Sequence, residues 1–143
     1  MILHVYTDGG ARGNPGPAAI GVVVKEYQEE TSAEILRNKF GKKIGIATNN
    51  VAEYRAVLEA LGFMIGLQNQ GRKIEKINVY LDSQLVASQL GGIFKIKDPT
   101  LKKLFLMIKE QEKKLGVAIF YFHIPRAQNV LADREVNLSL DQI

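Results

Sequence analysis

The chain has 143 residues, of which 46% are hydrophobic and 24% charged, as expected for one globular domain. It contains no cysteine, which excludes disulfides, thiolate metal ligands and a cysteine nucleophile. The net charge of +4 favours a polyanionic partner without establishing one, because many basic proteins bind nothing acidic. We expect a single domain over residues 1–143, located in the cytoplasm, because no signal-peptide pattern and no bilayer-spanning apolar run is present.

Hydrophobic periodicity and turn residues predict an alternation of strands and helices. In chain order these are strands at residues 2–8, 18–25 and 34–46, a helix at 50–70, a strand at 74–81, helices at 83–90 and 99–115, a strand at 117–124 and a helix at 128–140. Residues 9–17 are rich in glycine and proline and are predicted to form a turn. Short links favour antiparallel pairing of the first three strands, and helical crossovers make the last two parallel to a neighbour. The order predicts an α/β fold with a mixed five-stranded sheet flanked by helices.

Four carboxylates occupy positions that suggest a shared site. Asp8 ends the first predicted strand and Asp82 ends the fourth. If these strands are parallel neighbours, both acids lie at one sheet edge, where ligand sites are favoured and strands are about 4.8 Å apart. Glu53 shares a helical stripe with Val57, and an acid on an apolar stripe is unexpected unless something charged meets it. Asp133 occupies a similar apolar stripe early in the last predicted helix.

Carboxylates that are drawn together repel one another, and a divalent cation removes that repulsion. All-oxygen ligation suits Mg²⁺ or Mn²⁺ better than zinc, and such acid clusters support two-metal phosphodiester hydrolysis. Each acid also has a structural explanation. These explanations are Asp8 as a turn residue, Asp82 or Ser83 as a helix cap, Glu53 in a capping pair with Asn50, and Asp133 at a helix dipole. Spacing alone leaves these alternatives open.

Two other kinds of site are disfavoured. The glycines at 10, 13 and 16 do not have the G-x-G-x-x-G spacing, and no G-x-x-x-x-G-K-[ST] loop is present. Nucleotide binding of those kinds, including that of a dinucleotide enzyme, is therefore unsupported. His4 and His123 lie on predicted strands without the paired spacing of a zinc site, so we assign both to structural roles.

Four short motifs occur in one order along the chain. They are YTDGGARGNPGP at residues 6–17, TNNVAEY at 48–54, DSQLV at 82–86 and NVLAD at 129–133. Together they resemble the type 1 ribonuclease H family, and the resemblance, which includes the predicted element order, covers nearly the whole chain. One such motif is weak evidence, whereas four in the right order are highly specific.

The resemblance implies an endonuclease that cuts the RNA strand of an RNA–DNA hybrid and leaves 3′-hydroxyl and 5′-phosphate ends. It implies that two Mg²⁺ ions, with Mn²⁺ as an alternative, are held by Asp8, Glu53, Asp82 and Asp133. One ion would activate the attacking water and the other would stabilise the leaving 3′ oxygen. We expect a monomer with no membrane partner.

The resemblance also implies a set of substrate-binding residues. Those expected to contact the RNA strand are Asn14, Asn49, Asn50 and Gln84. Thr48 matches a residue that helps to hold a phosphate of the DNA strand. Because amides both donate and accept hydrogen bonds, they suit recognition of the 2′-hydroxyl that distinguishes RNA from DNA.

Two features depart from the family pattern. Many members carry a histidine in a mobile loop before the last acid, whereas here the only histidine of that segment, His123, falls on a predicted strand. Our hypothesis is that Arg126 partly substitutes for it. Many members also have a basic protrusion containing tryptophan, but residues 91–98 are too short for one and the chain has no tryptophan. We therefore expect weaker, more salt-sensitive substrate binding and, by similarity to compact members, action on RNA–RNA duplexes.

Two rival functions remain to be weighed. Exonucleases on related folds typically carry Asp-x-Glu on the first strand, whereas Asp8 is followed by Gly9 and Gly10. A catalytically weak or silent hybrid-binding homologue belongs to a different class. The intact acid set argues against it, and a measurement of turnover separates the two.

Overall fold

The computed structural model describes residues 1–142, which form a five-stranded sheet and four α-helices. The strands are β1 (Ile2–Ala11), β2 (Gly16–Gln28), β3 (Ala33–Ala47), β4 (Lys76–Leu81) and β5 (Ala118–His123). The helices are α1 (Asn49–Asn69), α2 (Gln84–Leu90), α3 (Pro99–Leu115) and α4 (Val130–Asp141), and a short 3₁₀ turn (Arg126–Gln128) precedes α4. The predicted mixed sheet flanked by helices is confirmed.

The strand order β3-β2-β1-β4-β5 places β1 and β4 side by side in the centre of the sheet. Strands β1, β2 and β3 pair antiparallel, whereas β4 runs parallel to both β1 and β5, as the connection lengths predict. Tyr6 of β1 pairs with Tyr80 of β4. Asp8 lies two residues beyond Tyr6 on β1, and Asp82 follows the last residue of β4. The two acids therefore lie at the same end of the sheet.

The two faces of the sheet carry different helices. Leu3 and the alternate apolar residues of β1 pack into the main core with α1 and α3. Asp8 faces the opposite side, because successive side chains of a strand alternate between faces. Asp8 pairs with Gly21 of β2, and a Cβ on Gly21 would lie 2.2 Å from the carbonyl oxygen of Ala132 in α4. Helix α4 therefore lies directly on the face that carries Asp8.

Helix α1 begins at a conventional cap that determines where Glu53 lies. The Thr48 side chain accepts a hydrogen bond from the Val51 amide at 3.2 Å. Val51 therefore occupies the third helical position, and Glu53 lies beyond it. The capping-pair explanation of Glu53 with Asn50 is wrong.

The predicted turn over residues 9–17 is only partly correct. Strand β1 continues through Gly9 and Gly10 to Ala11, and only residues 12–15 link it to β2. The absent side chain at Gly9 allows close packing, because a Cβ there would lie 2.2 Å from the backbone carbonyl of Ala52 in α1. The explanation of Asp8 as a turn residue is therefore also wrong.

The helical segments otherwise start and end near their predicted bounds. The last helix begins at Val130 rather than at residue 128, because Arg126–Gln128 forms a separate 3₁₀ turn. Residues 91–98 join α2 to α3 directly, which agrees with the expected lack of a long protrusion. Within residues 1–142, none of the helices combines the length and apolar character that a bilayer-spanning segment needs.

Candidate active site

Three carboxylates from separate elements meet at the end of the sheet. Asp8 projects from β1, Glu53 from α1, and Asp82 follows the last residue of β4. One carboxylate oxygen from each residue lies within 4.8 Å of the other two. Asp8 and Glu53 are only 6% and 7% exposed. This group, called the acid cluster below, lies at the carboxyl ends of parallel strands, where open α/β sheets place their ligands.

The acids of the cluster strongly influence one another's ionisation. Burial raises the pKa of Asp8 to about 7, and the negative charge of Asp82 adds to the rise. The pKa of Glu53 is raised well above its usual value by burial and then by the charges of Asp8 and Asp82. Both acids are therefore held towards their neutral forms unless a cation offsets the repulsion.

The cluster also contains buried oxygens without partners. Among residues 1–142, Glu53 Oε2 and Asp82 Oδ2 are buried and make no hydrogen bond. The Arg126 Nε atom lies 3.8 Å from Asp82 Oδ2, but the Arg126 side chain is 84% exposed. Leaving buried carboxylate oxygens unpaired is costly. An all-oxygen donor set of this kind fits a hard divalent cation such as Mg²⁺ or Mn²⁺.

Asp133 lies in the same cleft but outside the tight cluster. It projects from the first turn of α4 and is half-buried. It lines a cleft of about 420 Å³ together with the acid cluster and Arg126. The charge of Asp133 contributes to the raised pKa of Asp8. Asp133 does not belong to the group whose carboxylate oxygens lie within 4.8 Å of one another. The structure therefore brings all four acids to one cleft, with Asp133 beside Asp8 but outside the group of three.

A structural explanation of Asp82 loses its support. The cap of α2 is Ser83, whose side chain accepts a hydrogen bond from the Val86 amide at 3.2 Å. Asp82 is therefore not needed to begin the helix.

A second cleft of about 350 Å³ adjoins the first. It is called the amide cleft below, and its lining includes Asn14, Thr48, Asn49, Asn50, Asp98 and Thr100. Asn49 and Asn50 line both clefts. The backbone amide of Asn49 donates to Asn14 Oδ1 at 3.0 Å, and the side-chain oxygen Oδ1 of Asn49 accepts from the backbone amide of Ala11 at 2.9 Å. These bonds fasten the β1–β2 link to the start of α1.

The family model that describes RNase H matches residues 2–136 of this chain. The chain belongs to the ribonuclease H family. It is 38% identical over 141 residues to the bifunctional protein Rv2228c of Mycobacterium tuberculosis, covering 99% of this chain and 36% of that protein. It is 38% identical over 140 residues to ribonuclease HI of Halobacterium salinarum, covering 97% of this chain and 64% of that protein. The chain thus spans less than two thirds of the length of these curated relatives.

Solved ribonuclease H structures superpose closely on this fold. LC11-RNase H1, solved in complex with an RNA/DNA hybrid, matches with a TM-score of 0.86 and 38% identity, covering 97% of this chain and 96% of that one. RNase H1 of Halobacterium salinarum matches with a TM-score of 0.84 and 36% identity, covering 99% and 98%. The resemblance that four motifs suggested is confirmed as family membership.

Three residues considered from the sequence lie away from the acid cluster. Gln84, expected by resemblance to contact RNA, is exposed at the start of α2 and does not line the two clefts described. His4 Nδ1 lies 2.7 Å from Glu34 Oε2, and His123 is exposed at the end of β5. Among the described residues, neither histidine is part of the acid cluster.

Sequence reasoning missed two charged residues that line the two clefts. Arg12 lines the cleft that contains the acid cluster, and its side chain donates to Asp141 Oδ1 at 2.6 Å. Asp98 lines the amide cleft, and its side chain caps α3 by accepting from the Leu101 amide at 3.0 Å. Arg12 stood within a segment interpreted as a turn. Asp98 had a cap signal, an acid directly before a proline, which shows the start of a helix but not the neighbouring cleft.

Proposed function

We propose that this chain is a metal-dependent endoribonuclease that hydrolyses the RNA strand of RNA–DNA hybrids and leaves 3′-hydroxyl and 5′-phosphate ends. One observation carries the proposal. Carboxylate oxygens of Asp8, Glu53 and Asp82 lie within 4.8 Å of one another, and the Arg126 side chain that lies 3.8 Å from Asp82 is 84% exposed. A relative, LC11-RNase H1, was solved with an RNA/DNA hybrid, which supports the same substrate here.

The ligand set that we propose for two Mg²⁺ ions, with Mn²⁺ as an alternative, consists of Asp8, Glu53, Asp82 and Asp133. Ribonuclease H enzymes depend on divalent metal ions, and the unpaired oxygens of the cluster suit that requirement. Bound ions of this kind would activate the attacking water and stabilise the leaving 3′ oxygen. Bound ions would favour the ionised forms of these buried acids, so that a phosphodiester would meet a preorganised site.

The amide cleft is proposed to bind the substrate strands. Asn49 and Asn50 line both clefts, so their side chains stand between the acids and the rest of the substrate path. Together with Asn14 they offer donors and acceptors to a 2′-hydroxyl. The cleft lies at the start of α1, beside Thr48, where the positive end of the helix dipole favours a phosphate group. Gln84 would contact the RNA strand from outside the two clefts.

Arg126 is proposed to take part of the role of the loop histidine found in many members. The Arg126 guanidinium lies 3.8 Å from Asp82, and the side chain is 84% exposed. The guanidinium can therefore leave Asp82 and bind a phosphate group of the substrate instead. Such an exchange would assist release of the 5′-phosphate product.

The deciding experiment is a cleavage assay on an RNA–DNA hybrid, duplex RNA and duplex DNA, each with Mg²⁺, Mn²⁺ or EDTA. We expect metal-dependent cleavage of the hybrid, weaker cleavage of duplex RNA and none of duplex DNA. Asp8→Asn, which keeps the shape of the side chain, should abolish the activity. Unchanged cleavage by that variant would contradict the site, and hybrid binding without cleavage under every metal condition would favour a silent binding homologue.

A further inference from the structure

Asn129 precedes α4 in the position where asparagine normally caps a helix. The side chain of such a residue usually accepts a hydrogen bond from the first turn. Thr48, Ser83 and Asp98 do this for α1, α2 and α3. The Asn129 side chain makes no capping bond, although the residue is only 1% exposed. Its burial therefore has another cause.

The side chain of Asn129 binds a central strand instead. Its Nδ2 atom donates to the carbonyl oxygen of Thr7 at 2.9 Å, joining residues 122 positions apart in the chain. Thr7 immediately precedes Asp8. The described pairing of β1 with β4 ends one residue earlier, at Tyr6 with Tyr80. Asn129 thus binds the backbone of β1 at the residue that directly precedes Asp8 of the acid cluster.

The backbone of Asn129 connects to the fourth acid. Its carbonyl oxygen accepts a hydrogen bond from the Asp133 amide at 3.1 Å. One buried residue therefore links the backbone next to Asp8 with the backbone of Asp133. Contact between α4 and Gly21 limits how close the helix can approach the sheet.

We propose that Asn129 is a positioning residue that places Asp133 relative to Asp8 and thereby sets the affinity of the site for divalent cations. This rests on the proposed function, since it takes the four acids as a metal site. The observation that favours positioning is that the buried Asn129 side chain donates to the strand beside Asp8, while its Oδ1, the atom that would cap α4, makes no hydrogen bond among the described residues. A residue that merely completed the fold would gain as much from capping α4.

The test measures Mn²⁺ binding by calorimetry, without substrate, in a double-mutant cycle. The proteins are the unmodified chain, Asn129→Ala, Asp133→Asn and the double variant. We expect Asn129→Ala to weaken Mn²⁺ binding by roughly tenfold to a hundredfold, as for other residues that orient metal ligands. In the Asp133→Asn background the same change should have a much smaller effect, because the two residues act through one contact.

Asn78→Ala is the matched control. Asn78 is a half-buried asparagine of β4, and its side chain lies 3.3 Å from His4 Nε2, away from the acid cluster. It should lower the melting temperature and leave Mn²⁺ affinity unchanged. Asn129→Leu provides a second variant of similar volume that removes the donor without leaving a cavity.

Unchanged Mn²⁺ affinity in both Asn129 variants, or an equal loss in both backgrounds, would overturn the positioning role. So would failure of both variants to fold, since Asn129 would then be needed for the fold itself. Absence of Mn²⁺ binding by the unmodified chain, or unaltered binding by Asp8→Asn, would instead refute the proposed metal site, and this role with it.

Discussion

Two clusters of ionisable side chains are neighbours along β1, where Tyr6 of one and Asp8 of the other project from the same face of the sheet. The acid cluster surrounds Asp8. The second, called the Glu34 cluster, surrounds a cavity of about 520 Å³ and consists of Glu34, His4, Tyr6 and Lys25. Glu34 Oε2 accepts from the Tyr6 hydroxyl at 2.6 Å and lies 2.7 Å from His4 Nδ1, and Lys25 Nζ lies 3.7 Å from Glu34 Oε1.

The two clusters differ in whether their charges are balanced. Burial opposes ionisation of Glu34, but hydrogen bonds from Tyr6 and His4 outweigh it and lower the pKa of Glu34. In the acid cluster, burial and neighbouring acids instead raise the pKa of Asp8 to about 7. A partnered carboxylate stabilises the fold, whereas carboxylates left unpaired indicate a site for an external cation. The two clusters therefore differ both in burial, since Asp8 is buried and Glu34 is exposed, and in the balance of their charges.

The sharpest test compares two glutamates by the same substitution. Glu53→Gln should reduce hybrid cleavage by about a thousandfold, because the neutral amide cannot balance the positive charge of the metal ions that catalysis requires. Glu34→Gln should change cleavage by less than about threefold. Initial rates at saturating Mg²⁺ check both, with circular dichroism to show that each variant is folded. Comparable losses in the two variants would remove the distinction between the clusters.

The acid cluster should make metal-free stability depend on pH. The pKa of Asp8 rises from 3.8 to about 7 on folding, so its contribution to stability is fully present below pH 3.8 and is lost as pH rises through about 7. In EDTA, Asp8→Asn should therefore melt higher than the unmodified chain at pH 8, by roughly 3–8 °C, with little difference near pH 4.

Metal should reverse that dependence. Adding Mg²⁺ or Mn²⁺ at pH 8 should raise the melting temperature of the unmodified chain and leave Asp8→Asn almost unchanged, because the ion binds only the folded acid cluster. Thermal melts at several pH values, with and without metal, provide the measurement. A melting temperature of Asp8→Asn that tracked the unmodified chain at every pH would contradict the unbalanced cluster.

The Glu34 cluster should show the opposite pH dependence. Because the pKa of Glu34 is lowered on folding, its contribution is present above its ordinary value of 4.5 and is lost as pH falls through the folded value. Glu34→Gln should lower the free energy of unfolding by about 0.5–1 kcal/mol at pH 7, because it removes charge-assisted hydrogen bonds from Tyr6 and His4 at an exposed position. Urea denaturation at pH 7 and pH 4 checks this, and a loss that persisted in full at pH 4 would argue against ionised Glu34 as its source.

The smallest expected effect belongs to Arg126, the exposed cation beside Asp82. Arg126→Ala should lower multiple-turnover cleavage by about threefold to tenfold, with single-turnover cleavage less affected, if the residue assists product release. Arg126→Lys is the matched control that keeps the charge. Unchanged turnover in Arg126→Ala would exclude the residue from the mechanism.

Local sequence signals were sufficient for much of the fold. Helix α3 runs over Pro99–Leu115 as predicted, because its proline start, its acidic cap at Asp98 and its apolar stripe all lie within a few residues of one another. Glu53 could be singled out because an acid on an apolar helical stripe violates a local rule. The family motifs then named Asp133, which periodicity alone left open to a dipole explanation.

Other features depended on contacts between distant segments. The glycines after Asp8 resembled a turn, yet they continue β1 because α1 packs directly against the strand at Gly9. The position of Asp133 outside the group of three and the bond from Asn129 to Thr7 are set by how α4 packs across the sheet. The sequence by itself determined which acids were available. Which of these acids lack a partner of opposite charge depends on the tertiary structure, because the partners lie far apart in the chain.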